Sequence, residues 1–143
     1  MNHTRLNIGL LTICLLAGAP LSAQIQALEE ASVQVPATTS AIWQVIDQRT
    51  ATLQKLIQAG TLNEVHHHAF AIRDLTAALL THENNLTPEQ RKELEAQVRF
   101  VATLAQRLDV NGDSNDRAGA ASNFSKLTHV LETMRGVTTP ASK

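Results

Sequence analysis

The stretch TPEQRKELEAQVRFVATLAQRL, Thr87 to Leu108, decides the fold class. The Thr87 hydroxyl is placed to accept from the Gln90 backbone N–H, and the Gln90 side chain can reach back to the Thr87 N–H. Pro88 suits the first helical position, where no N–H is needed. Behind this start, Leu94, Val98, Val101, Ala105 and Leu108 recur at alternating spacings of four and three. That interval holds one apolar stripe on one side of a helix, the seam by which bundle helices pack. Such a helix gains most of its stability from partners, so the rest of the chain must supply them.

Working outward, the same reading finds three more helices. Upstream, Leu62 to Leu80 carries Val65, Ala69, Ile72, Thr76 and Leu79 at the same spacing. Before it, Thr38-Thr39-Ser40 offers N-caps for a helix starting at Ser40, and Gly60 suits the residue just past its end. Ile42, Ile46, Leu53, Leu56 and Ile57 share one face of that helix, with Arg49 in their midst. Arg49 reads either as a guanidinium snorkelling past apolar neighbours or as an inward charge that meets a carboxylate or ligand. Downstream, Asp116 to Arg135 turns Ala120, Phe124, Leu127, Leu131 and Met134 inward, and Gly136 is expected to stop it. Short connections force consecutive helices to be antiparallel neighbours. The expectation is an all-α, up-down-up-down antiparallel four-helix bundle over residues 40–136, followed by a tail over 137–143.

The chain has 143 residues, which suits one domain. Its first 23 residues read as a signal peptide: Arg5 gives a positive start, Ile8 to Ala17 an apolar centre, and Leu21-Ser22-Ala23 a small-residue cleavage site. The apolar run is shorter than the roughly 20 residues a membrane span needs. The single cysteine, Cys14, lies inside this run, and Leu11-Thr12-Ile13 before it lacks the small residue of a lipoprotein signal. A covalent membrane anchor is therefore not expected, and the periplasm or the exterior is the expected location. Loss of Cys14 with the leader excludes disulfides, zinc thiolates, covalent haem and a cysteine nucleophile from the mature chain. Residues 24–39, rich in Ala, Gln and Val, read as a flexible lead.

The 12 Lys and Arg face 13 Asp and Glu, and removal of Arg5 leaves the mature chain weakly acidic. No basic stripe emerges, so nucleic acid is not an expected partner. Tyrosine is absent and only Trp43 and three Phe remain, which argues against a sugar- or base-stacking surface. Phosphate-binding glycine loops, serine elbows and close carboxylate pairs are missing from the pattern, so an enzyme is not expected.

The unusual local feature is His66-His67-His68. At 100° per residue, His68 falls about 60° to one side of the buried Val65 and His66 about 100° to the other, with His67 outward. Three such imidazoles diverge and cannot close round one ion together. Glu64 with His67 or with His68 is the usable chelating pair, which gives a weak site. Counting back from the turns puts Leu53-Gln54, Phe100-Val101 and Asn123-Phe124 level with His68. His82 is about 21 Å further along the helix, and His129 points away from its seam. Imidazole with carboxylate suits Cu(II), Ni(II) or Zn(II), copper first by intrinsic affinity. A symmetric homodimer would pair two half-sites. The alternative for the three histidines is that they are ordinary helix residues. Asp109 to Asp116 imitates the first half of a calcium loop, but Ser114 stands where the turn glycine belongs and Ala120 where the bidentate acid belongs. An interhelical turn, with Gly112 ending one helix and Asp113 or Asp116 capping the next, accounts for it.

A resemblance bears on these histidines. Ile42-Trp43 with Ile46-Asp47, Gly60, Leu62, Val65-His66, Ala69, Ile72-Arg73-Asp74-Leu75, Leu108-Asp109, Gly112-Asp113 and Lys126-Leu127 together resemble small helical modules of exported bacterial proteins linked to heavy-metal efflux. The resemblance implies a periplasmic setting, a metal role for His66 and a metal-efflux component as partner. The other expectation is a structural or protein-interaction module without a metal site.

Overall fold

The computed structural model describes residues 33–138. The expected signal peptide, the expected lead up to residue 32 and residues 139–143 lie outside the described residues. Those described form four α-helices and one short 3-10 turn, with no strand among them. Helix α1 spans Thr39–Ala59, the 3-10 turn Leu62–Glu64, α2 Val65–His82, α3 Pro88–Asp113 and α4 Arg117–Thr138. No helix among the described residues is long and apolar enough to cross a membrane.

Caps set three of the boundaries. The Thr38 hydroxyl accepts from the Ala41 N–H at 3.2 Å. Gly60, at φ 77°, folds back so that its N–H meets the carbonyls at the end of α1, a conformation that a side chain disfavours. The α3 capping box forms as the sequence requires, with Gln90 N–H to Thr87 Oγ1 at 3.2 Å and Thr87 N–H to Gln90 Oε1 at 2.9 Å.

Two glycines do not act as the sequence suggested. Helix α3 runs through Gly112 to Asp113, and Asn115, at φ 53°, takes the left-handed position instead. Asparagine tolerates that region, while Gly112 serves space: a Cβ there would stand 2.7 Å from the Leu62 carbonyl oxygen. Gly136 does not stop α4, which continues to Thr138. Thr138 is held from outside its own helix, accepting a 2.9 Å hydrogen bond from the Trp43 indole N–H.

The five expected seam residues of α2 are all buried. Thr76, the polar one, donates its hydroxyl to the Arg73 carbonyl at 2.8 Å, so its burial leaves no donor stranded. Beyond the expected seams, Trp43, Ala71, Leu75, Leu104 and Val130 are also buried. Helix α2 packs against both α1 and α3, and α3 against both α2 and α4, while α1 and α4 touch over a smaller area. The two middle helices therefore need wider apolar stripes than a single seam.

Polar clasps supplement this core. Arg91 at the start of α3 donates to the Leu80 carbonyl at 3.2 Å and to the Glu83 carbonyl at 2.8 Å. Helix α1 has no basic residue in its last turn. Arg117 compensates from α4, donating to the Ile57 carbonyl at 3.0 Å and to that of Gln58. Cations are favoured at that helix end, where unpaired carbonyls carry partial negative charge.

Candidate functional site

The histidine run sits where the chain turns from α1 into α2. Gly60 reverses direction, and the 3-10 turn is pinned by Leu62, 3 % exposed. Val65 and Ala69, both fully buried, then fix the rotation of α2 about its axis. With those two inward, the three histidine side chains leave the backbone in different directions, as the periodicity requires. His67 faces solvent, its side chain 63 % exposed, and His66 and His68 are half-buried on either flank.

Two of the three come together nonetheless. The ring centres of His66 and His67 are 3.8 Å apart, tilted by 40°. Adjacent side chains on a helix leave the backbone about 100° apart, but near the surface their torsions let the rings close that gap. Glu64 lies on the same side, its carboxylate 4.0 Å from His67 Nε2. Asn63 Nδ2 donates to Glu64 Oε1 at 3.0 Å and orients it. The divergence expected of all three histidines thus holds for His68 alone.

His68 has a different environment. Its Nδ1 is buried without a hydrogen-bond partner. Burial lowers its pKa below the ordinary 6.5, the Arg49 guanidinium and then His67 lower it further, and Glu64 opposes them. The residue on α1 that acts on His68 is therefore Arg49, one turn earlier than the expected Leu53-Gln54. Arg49 shares the face of α1 that carries its apolar residues and is half-buried, and its positive charge acts on the His68 imidazole.

This arrangement predicts an acid-sensitive fold. Because the folded pKa of His68 is depressed, the unfolded chain binds the proton more readily. The contribution of His68 is fully present above the unfolded value of 6.5 and is lost as pH falls through the lowered folded value. Urea midpoints measured with chelator at about pH 7.5 and about pH 5.5 should fall further for the wild type than for His68→Gln. Equal falls would contradict the assignment.

Elsewhere, His82 lies half-buried in the last turn of α2, and His129 is exposed on α4. Among the described residues, no three His, Cys, Asp or Glu side chains gather closely enough to hold an ion. The calcium-like segment is a turn. Asp116 caps α4 by accepting from the Gly119 N–H at 2.9 Å, and its other oxygen accepts from Asn111 Nδ2 at 3.0 Å. Asn123 Nδ2 in turn donates to Asn111 Oδ1 at 2.8 Å. Next to this network, Thr103, Gln106, Arg107, Val110, Asn111 and Asn123 line a shallow hollow of about 300 Å³. Comparison with protein-family models, curated proteins and solved structures finds no match for this chain.

Proposed function

We propose that this is a non-enzymatic, exported module that binds a transition-metal ion weakly through His66 and His67, with Glu64 beside them. The observation that carries the reading is the imidazole pair 3.8 Å apart with a carboxylate 4.0 Å from one of its rings. Neutral imidazole nitrogens suit Cu(II), Ni(II) and Zn(II), and the affinity order puts copper first. Glu64 acts as a ligand or as acceptor for the ring N–H turned away from the ion, the usual role of a nearby carboxylate. His68 leaves the donor set, because its Nδ1 is buried and the nearby Arg49 disfavours added positive charge there. The leader sequence supports a periplasmic setting, where a metal-efflux component is the partner.

The same reading takes the topology as an up-down-up-down antiparallel four-helix bundle. Its support is the pairing of opposite helix ends: Trp43 near the start of α1 with Thr138 at the end of α4, and Arg117 at the start of α4 with Ile57 near the end of α1. Likewise Arg91 at the start of α3 meets the carbonyls at the end of α2.

Calorimetric titration of residues 24–143 with Cu(II), Ni(II) and Zn(II) tests the metal assignment. Binding tighter than about 100 μM is expected, lost in the His66→Ala, His67→Ala double variant and retained in His68→Ala. Weaker binding, or binding indifferent to the double substitution, would overturn it. A second reading, a protein-docking module without metal, is favoured by the outer side of α3, where Phe100 is 42 % and Val110 63 % exposed. Under that reading the ions leave no heat signal, and Phe100→Ser with Val110→Ser abolishes capture of the efflux component.

A further inference from the structure

Between residues 99 and 110, the exposed positions of α3 are Arg99, Phe100, Thr103, Gln106, Arg107 and Val110. Helical spacing gathers them on one outer strip. The acid of that stretch, Asp109, is half-buried and turned out of the strip, about 100° round from Val110. The strip is therefore basic, although the chain as a whole carries a formal net charge of −1.

Its two arginines have no acceptor of their own. Elsewhere Arg73 pairs with Asp74 and Arg135 with Asp47, while Arg91 and Arg117 clasp carbonyls at helix ends. The side chains of Arg99 and Arg107 make no hydrogen bond or ion pair among the described residues. Beside them Phe100 and Val110 expose apolar surface. The hollow of about 300 Å³ lies between Thr103, Arg107 and Val110 of α3 and Asn123 of α4. Its α4 side is fixed, because Asn123 donates to Asn111 at 2.8 Å.

Unpaired guanidinium groups call for carboxylates, which they grip through two parallel hydrogen bonds. Arg99 and Arg107 stand about 12 Å apart along the axis, two turns of helix. A second helix laid along α3 can present two acids at that interval, with an apolar side chain between them to enter the hollow. Arginine and aromatic side chains are also the usual anchors of protein interfaces. A lipid surface fits less well. Insertion needs a continuous apolar face, and here Thr103 and Gln106 separate Phe100 from Val110.

We propose that this strip of α3 docks an acidic amphipathic helix of a partner protein, with its carboxylates on Arg99 and Arg107. This rests on the reading of the outer side of α3 as a protein-docking face and is independent of the metal assignment.

The probe is a fluorescein-labelled helical peptide of about four turns, with leucines along one side and two glutamates set two turns apart beside them. A basic peptide with lysine for both glutamates is its control. The purified protein is titrated into each and anisotropy is read. The acidic peptide should bind and the basic one should not. Arg99→Glu with Arg107→Glu should weaken the acidic peptide about tenfold or more and gain affinity for the basic one, a reversal that a misfolded chain could not produce. Salt raised from about 0.05 M to about 0.5 M should also weaken binding severalfold. Equal binding of both peptides, lost in Phe100→Ser with Val110→Ser, overturns the acidic partner and leaves the docking reading standing. Binding unchanged by either pair of substitutions overturns both. No binding of the acidic peptide overturns the acidic partner, while the docking reading still answers to capture of the efflux component. Tighter binding to phosphatidylglycerol vesicles or to a single-stranded oligonucleotide overturns the protein partner in favour of lipid or nucleic acid.

Discussion

Trp43→Ala is expected to destabilise the bundle by about 3–5 kcal/mol, the range for removing a buried aromatic side chain. Trp43 is 2 % exposed and packs into the core. Two further losses accompany its volume. The indole N–H donates to Thr138, which is itself 4 % exposed and donates onward to the Met134 carbonyl at 3.1 Å. The Arg135 guanidinium lies over the indole, 4.3 Å from the ring centre, and pairs with Asp47 of α1. Alanine thus opens a cavity and removes a donor from a buried hydroxyl. It also takes away the platform beneath the arginine. Because Trp43 is the sole tryptophan, unfolding in urea must be followed by circular dichroism rather than fluorescence. Trp43→Phe keeps most of the volume but loses the hydrogen bond, and should cost about 1–2 kcal/mol. A loss below about 1 kcal/mol for the alanine variant would mean that the contact between α1 and α4 contributes little to stability.

Gly112→Ala and Gly136→Ala are expected to move stability in opposite directions, although both exchange a helical glycine for the best helix former. In a free helix this substitution gains roughly 0.5–1 kcal/mol by restricting the unfolded chain. At Gly136 nothing lies within 4 Å of an added Cβ, so that gain should appear in full. At Gly112 the added carbon would stand 2.7 Å from the Leu62 carbonyl oxygen and 4.0 Å from Val65 Cβ. The close atom is backbone, and Leu62 is anchored in the core, so neither helix nor turn can yield cheaply. Overpacking of this kind costs about 1–3 kcal/mol and outweighs the propensity gain. Thermal unfolding of the two variants decides the matter, since 1 kcal/mol shifts the midpoint by about 4–8 °C in a domain of this size. A stabilised Gly112→Ala would show that the 3-10 turn does not rest on α3. The same variant should weaken metal binding, because that turn leads directly into His66 and His67.

How much was legible in the sequence follows the range of the interactions involved. The Thr87–Gln90 capping box, the Gly60 stop and the four-and-three spacing of α2 are local, so a single stretch of chain contains all the information they need. Leu104 and Val130 were missed because their burial depends on a second neighbour, which no periodicity within one helix reveals. Asn115 takes the helix-ending position expected of Gly112 for a similar reason. Either residue can end a helix, and the choice was made by a carbonyl some fifty positions away. At the site, the outward direction of His67 was legible, since Val65 and Ala69 fix the helix rotation. The approach of His66 to His67 was not, because it depends on side-chain torsions. The influence of Arg49 on His68 escaped because the count from the turn assumed α-helix from Leu62 onward. Three 3-10 residues rise about 2.0 Å each instead of 1.5 Å, which carries His68 past its expected level, and the long Arg49 side chain covers the rest.

The Trp43–Thr138 hydrogen bond has a practical corollary. It ties the first turns of α1 to the last turn of α4, whereas the imidazole pair stands beside the later half of α1, past the chain reversal at Gly60. A tether, fluorophore or fusion partner added beside Thr138 would therefore lie toward the start of α1, away from the Gly60 reversal that leads into His66 and His67. A label at that position leaves the candidate binding corner open to ions or to another molecule in solution.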